Sequence, residues 1–197
     1  SHYVQPDTPM DKEALKRSNS VYLADRVVPM LPEQLSNLAC SLRPNEDKYT
    51  FSAVFEMDEK GKIYNEWYGK TAIHSDRRFS YEQAQEIIEG ADGDYKDEIL
   101  ILDKVAKILR NKRLESGAMN IESEEVWFHF DENGHPDEVI VKRSKDAHKL
   151  IEEFMILANV CAAETLSENK IPTVPETYFF CNSSVSPILQ RTKLNLV

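Results

Sequence analysis

The sequence predicts an α+β fold in which antiparallel hairpins pack on one long core helix, and three observations carry that prediction. Ser144 to Glu168 holds the longest apolar run at helical spacing in the chain. Two pairs of alternating polar and apolar runs each enclose a glycine turn, and two further helical stretches, Ser80 to Glu89 and Glu98 to Glu115, lie between those pairs.

Taken in order, His2 to Val4 reads as the end of a strand whose alternation is already under way at residue 1. Asp7-Thr8-Pro9 is a turn and helix start, with Thr8 as cap and Pro9 at the first helical position, and Met10 to Ser18 follow as a short charged helix. Ser20 to Leu42, dense in β-branched and apolar residues around Pro29 and Pro32, reads as short extended pieces followed by a helix that Pro32 initiates. Tyr49 to Asp58 and Lys62 to Ile73 alternate about Glu59-Lys60-Gly61, which is a hairpin pattern. Ser80 caps the next helix, ADGDYKD is a polar loop, and Gly117 stops the helix that repeats Ile101, Leu102, Val105, Ile108 and Leu109. A second hairpin joins Glu125 to Phe130 with Glu138 to Lys142 through Asn133-Gly134.

In the long helix a rotation of about 100° per residue puts Ala147, Leu150, Ile151, Phe154, Met155, Ala158, Cys161 and Ala162 on one broad arc, with Lys149, Glu153 and Glu164 opposite. Ser144 is placed to cap it and Asp146 to complement its dipole. His148, Glu152 and Asn159 fall within roughly 40° of one another at the margin of the arc, whereas Glu153 points away. A carboxylate at the lip of a core either satisfies a structural hydrogen bond or lines a cleft.

The 197 residues suffice for one domain with a proper core or for two small ones, and 41% hydrophobic with 29% charged residues is an ordinary globular composition. No stretch reaches the roughly 20 apolar residues of a membrane span, so no membrane partner and a cytoplasmic location are expected. Cys40, Cys161 and Cys181 form an odd set without a C-x-x-C pair, which predicts reduced, mostly packed thiols. A net charge of -10 argues against a stand-alone nucleic-acid binder that works through clustered Lys and Arg; carboxylates holding metal ions, or basic flanking domains, remain compatible with it.

His129, Asp131, His135 and Asp137 have the right types for zinc or manganese, yet they surround an ordinary hairpin turn where polar residues are the rule. The acidic loop Asp92, Asp94, Asp97 and Glu98 lacks the ligand spacing of a calcium loop. Phosphate cradles and nucleophile elbows are unsupported, because G-x-x-x-x-G-K-[ST], G-x-G-x-x-G and G-x-S-x-G do not occur. Tyr22 and Tyr81 each read as core or rim residues, with ligand stacking as the alternative.

The segment SVYLADRVVPMLPEQLSNLACSL, Ser20 to Leu42, closely resembles the S-V-Y-[LF]-P-x-x-V-[IV]-P-M-L-P-E-x-L-S-N-x-x-C-S-L segment of the ribonuclease II and ribonuclease R family, in its catalytic RNB domain. DRRFSYEQA and DAHKLIEEFMILAN resemble later segments of that domain in the same order. The resemblance implies a partial RNB catalytic domain over residues 1–170 with a divergent, loosely ordered tail over 171–197. It further implies a hydrolytic exoribonuclease that trims single-stranded RNA from the 3' end to 5'-mononucleotides, uses Mg2+ held by aspartates, and carries flanking OB-fold domains.

By position, Tyr22 resembles the tyrosine packed against the terminal nucleotide, and Tyr81 with Glu152 the pair contacting ribose. Ile121 stands where the family has a phenylalanine that completes a stacking clamp, and Ala24 where proline is usual. The family's D-x-x-D-A-x-D-x-D-D-A cluster belongs upstream of a D-V-S-H-Y-V strand, which the chain meets only from Ser1-His2-Tyr3-Val4 onward; the T-S-P-I-R-R-Y segment and the Y-R-x-H-D-x-P continuation are not found either. The metal ligands are therefore expected to be missing, no catalytic residue is assigned, and the fragment is expected to be inactive alone. The alternative is a non-catalytic RNA-binding or scaffold protein derived from the RNB fold.

Overall fold

The structure, a computed structural model, describes residues 2–120, 124–131 and 135–171. Ile121, the Asn133-Gly134 turn and the tail beyond Ile171 lie outside the described residues.

The first helix, α1 (Pro9–Arg17), begins as its sequence dictates: the Thr8 hydroxyl accepts from the Asp11 amide at 3.3 Å, and the Asp11 carboxylate accepts from the Asp7 amide at 3.0 Å. Before it, the strand expected at His2 to Val4 is not formed. The segment bends, with the Gln5 side-chain amide donating to the His2 carbonyl at 2.7 Å, and it belongs to no ladder; an extended segment without a partner strand leaves its amides to water or to such local bonds. The extended pieces foreseen next are β1 (Val21–Tyr22) and β2 (Val27–Val28), an antiparallel ribbon. Ser20 and Arg17 hold its far end, through Ser20 Oγ accepting from the Met30 amide (3.0 Å) and Arg17 donating to the Pro29 carbonyl (3.1 Å). Pro32 then starts a helical turn whose body, Gln34–Ala39, is π-helical; the Cys40 amide reaches back to the Leu35 carbonyl at 2.8 Å.

The long hairpin pairs β3 (Asp47–Met57) with β4 (Ile63–His74), in a register that sets Phe51 opposite Lys70 and Phe55 opposite Glu66. Thr50, Ser52 and Thr71 join their hydroxyls across one face, at 2.6 Å from Thr71 to each of the other two. Gly61 adopts φ +69 in the turn, a conformation glycine takes without strain, and a Cβ there would come within 3.1 Å of Leu109. Trp67 covers Gly69 on the same strand. The turn itself docks on a helix: Lys104 pairs with Glu59 at 2.6 Å and Lys112 donates to the Lys60 carbonyl at 2.8 Å.

That helix is α3 (Lys96–Glu115), preceded by α2 (Tyr81–Ile88) and packed beside α4 (Asp146–Glu168), so that the three helices contact one another pairwise. Ser80 caps α2 in a reciprocal box with Gln83. The core lies between α3 and α4, where Val105 and Ala106 meet Leu150 and Phe154, and Met57 from the long hairpin packs against them. A second hairpin, β5 (Glu124–Phe130) with β6 (Pro136–Arg143), shifts register between His129 and Phe130. The architecture is α+β, with small antiparallel sheets and helices, as the sequence predicts.

One helix start differs from its sequence reading. Ser144 does not cap α4, which begins after Lys145. Two groups take over its unsatisfied amides: His148 Nδ1 accepts from the Lys145 amide at 3.3 Å, and Gln85 of α2 accepts from the buried Ala147 amide at 3.0 Å. A partner brought in by packing thus replaces the local hydroxyl. Asp146 pairs with Lys107 at 3.1 Å, which also holds Asp103 at 2.7 Å.

Candidate functional site

The margin of α4 carries Glu152 and receives the Tyr81 ring. Tyr81 opens α2 immediately after the Ser80 cap, so its backbone is set by the capping box. Its ring stacks on His148 with centroids 4.0 Å apart and planes 13° from parallel. Glu152 follows His148 by four residues and therefore shares its face of the helix. The Glu152 side chain is 49% exposed and the Tyr81 ring is partly exposed. Tyr81 thus contacts α4 at His148, one turn before Glu152, with Asn159 half-buried further along the helix.

Tyr22, 51% exposed, stands on the β1–β2 ribbon, whose strands pack chiefly on each other. Ile121 is outside the described residues.

The neighbouring carboxylate behaves opposite to its sequence reading. Glu153 does not point away from the core; it is 3% exposed, deep in the α3–α4 interface. Arg113 Nε donates to its Oε2 at 3.1 Å, Arg113 Nη2 donates to its Oε1, and Arg110 donates to Oε1 at 3.2 Å. The helix wheel counts only apolar side chains as facing the core, and so misses that two arginines three residues apart on α3 reach over and bury a charge as a hydrogen-bonded pair. Bonding to Glu153 holds the Arg113 guanidinium above its ordinary pKa, despite burial acting the other way. Arg113 stands 3.8 Å from Glu152, so the exposed carboxylate sits beside a cation already committed to its neighbour. Arg110 also donates to Asn120 at 2.7 Å, next to Ile121 in sequence. The arginines were not singled out in the sequence, and only their spacing opposite a glutamate on another helix could have marked them.

Between α3 and α4 lies a cleft of about 110 Å³ lined by Lys107, Arg110, Lys149, Asp103, Asp146 and Glu153. Its carboxylates are held by its own bases, which suits a structural seam rather than a ligand. On the second hairpin His129 bonds Asp137 at 2.6 Å, while the His135 amide donates to Asp131 at 2.8 Å. Among the described residues no three His, Cys, Asp or Glu side chains converge as a metal site. The described residues therefore do not fit a magnesium centre. Among the described residues no helix is long and apolar enough to cross a membrane.

At the far end of α4, Thr165 donates to Glu66 at 3.1 Å, close to Tyr68 and Cys161. Burial, together with the Glu66 charge, pushes the Tyr68 phenol up to about 12 and the Cys161 thiol up to about 11.

Comparison with known proteins places this architecture. The RNB domain family model matches residues 1–187. DIS3-like exonuclease 2 of Schizosaccharomyces pombe is 40% identical over 185 residues, covering 86% of this chain and 20% of that protein. The Arabidopsis thaliana protein named inactive exonuclease DIS3L2 is 36% identical over 184 residues, covering 85% and 17%. The solved structure of Mycoplasma genitalium RNase R in complex with ribose methylated single-stranded RNA superposes with a TM-score of 0.78 at 30% identity, covering 86% of this chain and 27% of that one. The chain thus spans about a fifth of the length of these curated relatives. With a family model spanning nearly the whole sequence and a shared fold, the chain belongs to the RNB domain family of exoribonucleases.

Proposed function

We propose that this chain is part of a hydrolytic 3'-to-5' exoribonuclease and contributes a wall of its single-stranded RNA path. The observation that carries the reading is the Tyr81 ring stacked on His148, which stands on α4 one helical turn before the half-exposed Glu152 carboxylate. A ring and a carboxylate so placed can pack on a sugar and accept a hydrogen bond from its 2'-OH, the group that tells RNA from DNA. Tyr22, half-exposed on its ribbon, would stack on the terminal base. The relatives' names, exonucleases, and the RNA held by the RNase R structure support the same substrate class.

Mg2+ would be supplied by carboxylates outside the described residues, and OB-fold domains with basic surfaces would grip the RNA for so acidic a segment. In the cell such an enzyme would work in the cytoplasm. On its own the chain binds RNA without cutting it. The test is incubation of the purified chain with magnesium and 5'-labelled single-stranded RNA, read by gel and by fluorescence anisotropy. Saturable binding with RNA preferred over DNA and no mononucleotide released is expected; release of mononucleotides overturns the inactive reading, and no binding overturns the RNA path.

A second reading, a non-catalytic RNA-binding or scaffold protein, is favoured by the Arabidopsis relative named inactive. The coding sequence upstream of Ser1 separates the two. An in-frame aspartate cluster there supports the enzyme, whereas a start codon supports the scaffold.

A further inference from the structure

We propose that His148 is a positioning residue for ribose selection: its imidazole is the platform that fixes the Tyr81 ring against α4, one helical turn before Glu152. This role presupposes that Tyr81 and Glu152 meet RNA, as proposed above. The stack is close and nearly parallel, at 4.0 Å and 13°, and such a contact restricts the turning of an aromatic ring about its side-chain bonds.

The imidazole is itself anchored. Its Nδ1 accepts from the Lys145 amide at 3.3 Å, which ties the ring's orientation to the first turn of α4. That turn is held in turn by Gln85 of α2, the helix that Tyr81 begins, through the Ala147 amide. The result is a closed circuit. Tyr81 leans on His148, His148 is fixed to the start of α4, and the start of α4 is fixed to α2 four residues after Tyr81.

The circuit makes the placement of the ring on α4, whose next turn carries Glu152, a property of helix packing rather than of one tyrosine's rotamer. A site that must distinguish a sugar hydroxyl from a hydrogen requires that rigidity, because a ring free to swing accommodates either sugar.

Two side-chain properties of His148 can be separated by substitution. His148→Phe keeps a flat ring for stacking and loses the acceptor for the Lys145 amide; His148→Gln keeps an acceptor and loses the ring. Binding of 5'-labelled short oligoadenylate in its ribo and deoxyribo forms is measured by anisotropy for the unaltered chain, both variants and His148→Ala, with thermal melting of each as control. The expected result is a fall in the ribo-to-deoxyribo affinity ratio of about five- to tenfold in His148→Ala and His148→Gln, with a smaller fall of about two- to threefold in His148→Phe, which keeps the stack and loses only the anchor.

A ratio restored by Gln and not by Phe would show that His148 only caps the helix, and an unchanged ratio in His148→Ala would show that the stack is dispensable; either overturns the proposal. Failure of the unaltered chain to prefer RNA at all sinks the ribonuclease reading and the positioning role with it, and is recognised because it precedes any substitution.

Discussion

Arg113 grips Glu153 with two N-H donors while standing 3.8 Å from Glu152, so that two adjacent glutamates on one helix have opposite fates. One carboxylate is buried in the fold and the other stays half-exposed at the surface.

This division predicts a contrast in stability. Glu153→Ala strands two arginines, whose side chains are 18% and 16% exposed, in a seam without their counter-charge. The expected cost is about 3 kcal/mol, the lower end for a broken buried pair because the arginines keep some water. Glu152→Ala is expected to cost under about 0.5 kcal/mol, as for an ordinary surface change. Urea unfolding followed by circular dichroism reads both, and equal costs would contradict the assignment.

Gln85 caps another element's helix, and its loss should be felt far from its own. Gln85→Met fills the same space without accepting from the Ala147 amide. A buried donor left unpaired costs about 1–3 kcal/mol. Hydrogen exchange at Ala147 should accelerate more than at residues in the middle of the helix, an effect a general loss of packing would not produce.

The Ser80 box sets where the second helix starts and hence where Tyr81 stands. Ser80→Ala should lower stability by about 1 kcal/mol, and Ser80→Asp, which keeps a capping oxygen, should recover most of it. Thermal melting distinguishes them.

Alkaline pH should loosen the junction of the long hairpin with the end of α4. Cys161 and Tyr68 have folded-state pKa values raised to about 11 and about 12, above their ordinary 9.0 and 10.0. Unfolded chains then release these protons before folded ones do. The stability tied to both groups is complete below pH 9.0 and is lost as pH climbs towards about 12. Cys161→Ala should flatten the first part of that decline. At pH 8 a thiol reagent should label exposed Cys40 readily and Cys161 slowly, since about one part in a thousand of a thiol with that pKa is thiolate there.

Much of this protein was legible in one dimension because the governing forces are local. Thr8 and Ser80 caps, the Gly61 and Gly117 stops, the period-two runs of the hairpins and the helical period of Ser144 to Glu168 act over a few residues, and each produced the element it announced. The segment around Tyr22 carried the family by its ordered residues alone.

Tertiary structure decided what depended on partners distant in the chain. The cap on the core helix came from Gln85, 62 residues before Ala147. Glu153 was buried by Arg110 and Arg113, about 40 residues before it, although a helical wheel puts it in water. His148 acquired its meaning from a ring 67 residues earlier. Charged and aromatic side chains are long and can satisfy one another across an interface, so their placement follows from which helices pack together, and a pattern of apolar residues along a single helix holds no record of that.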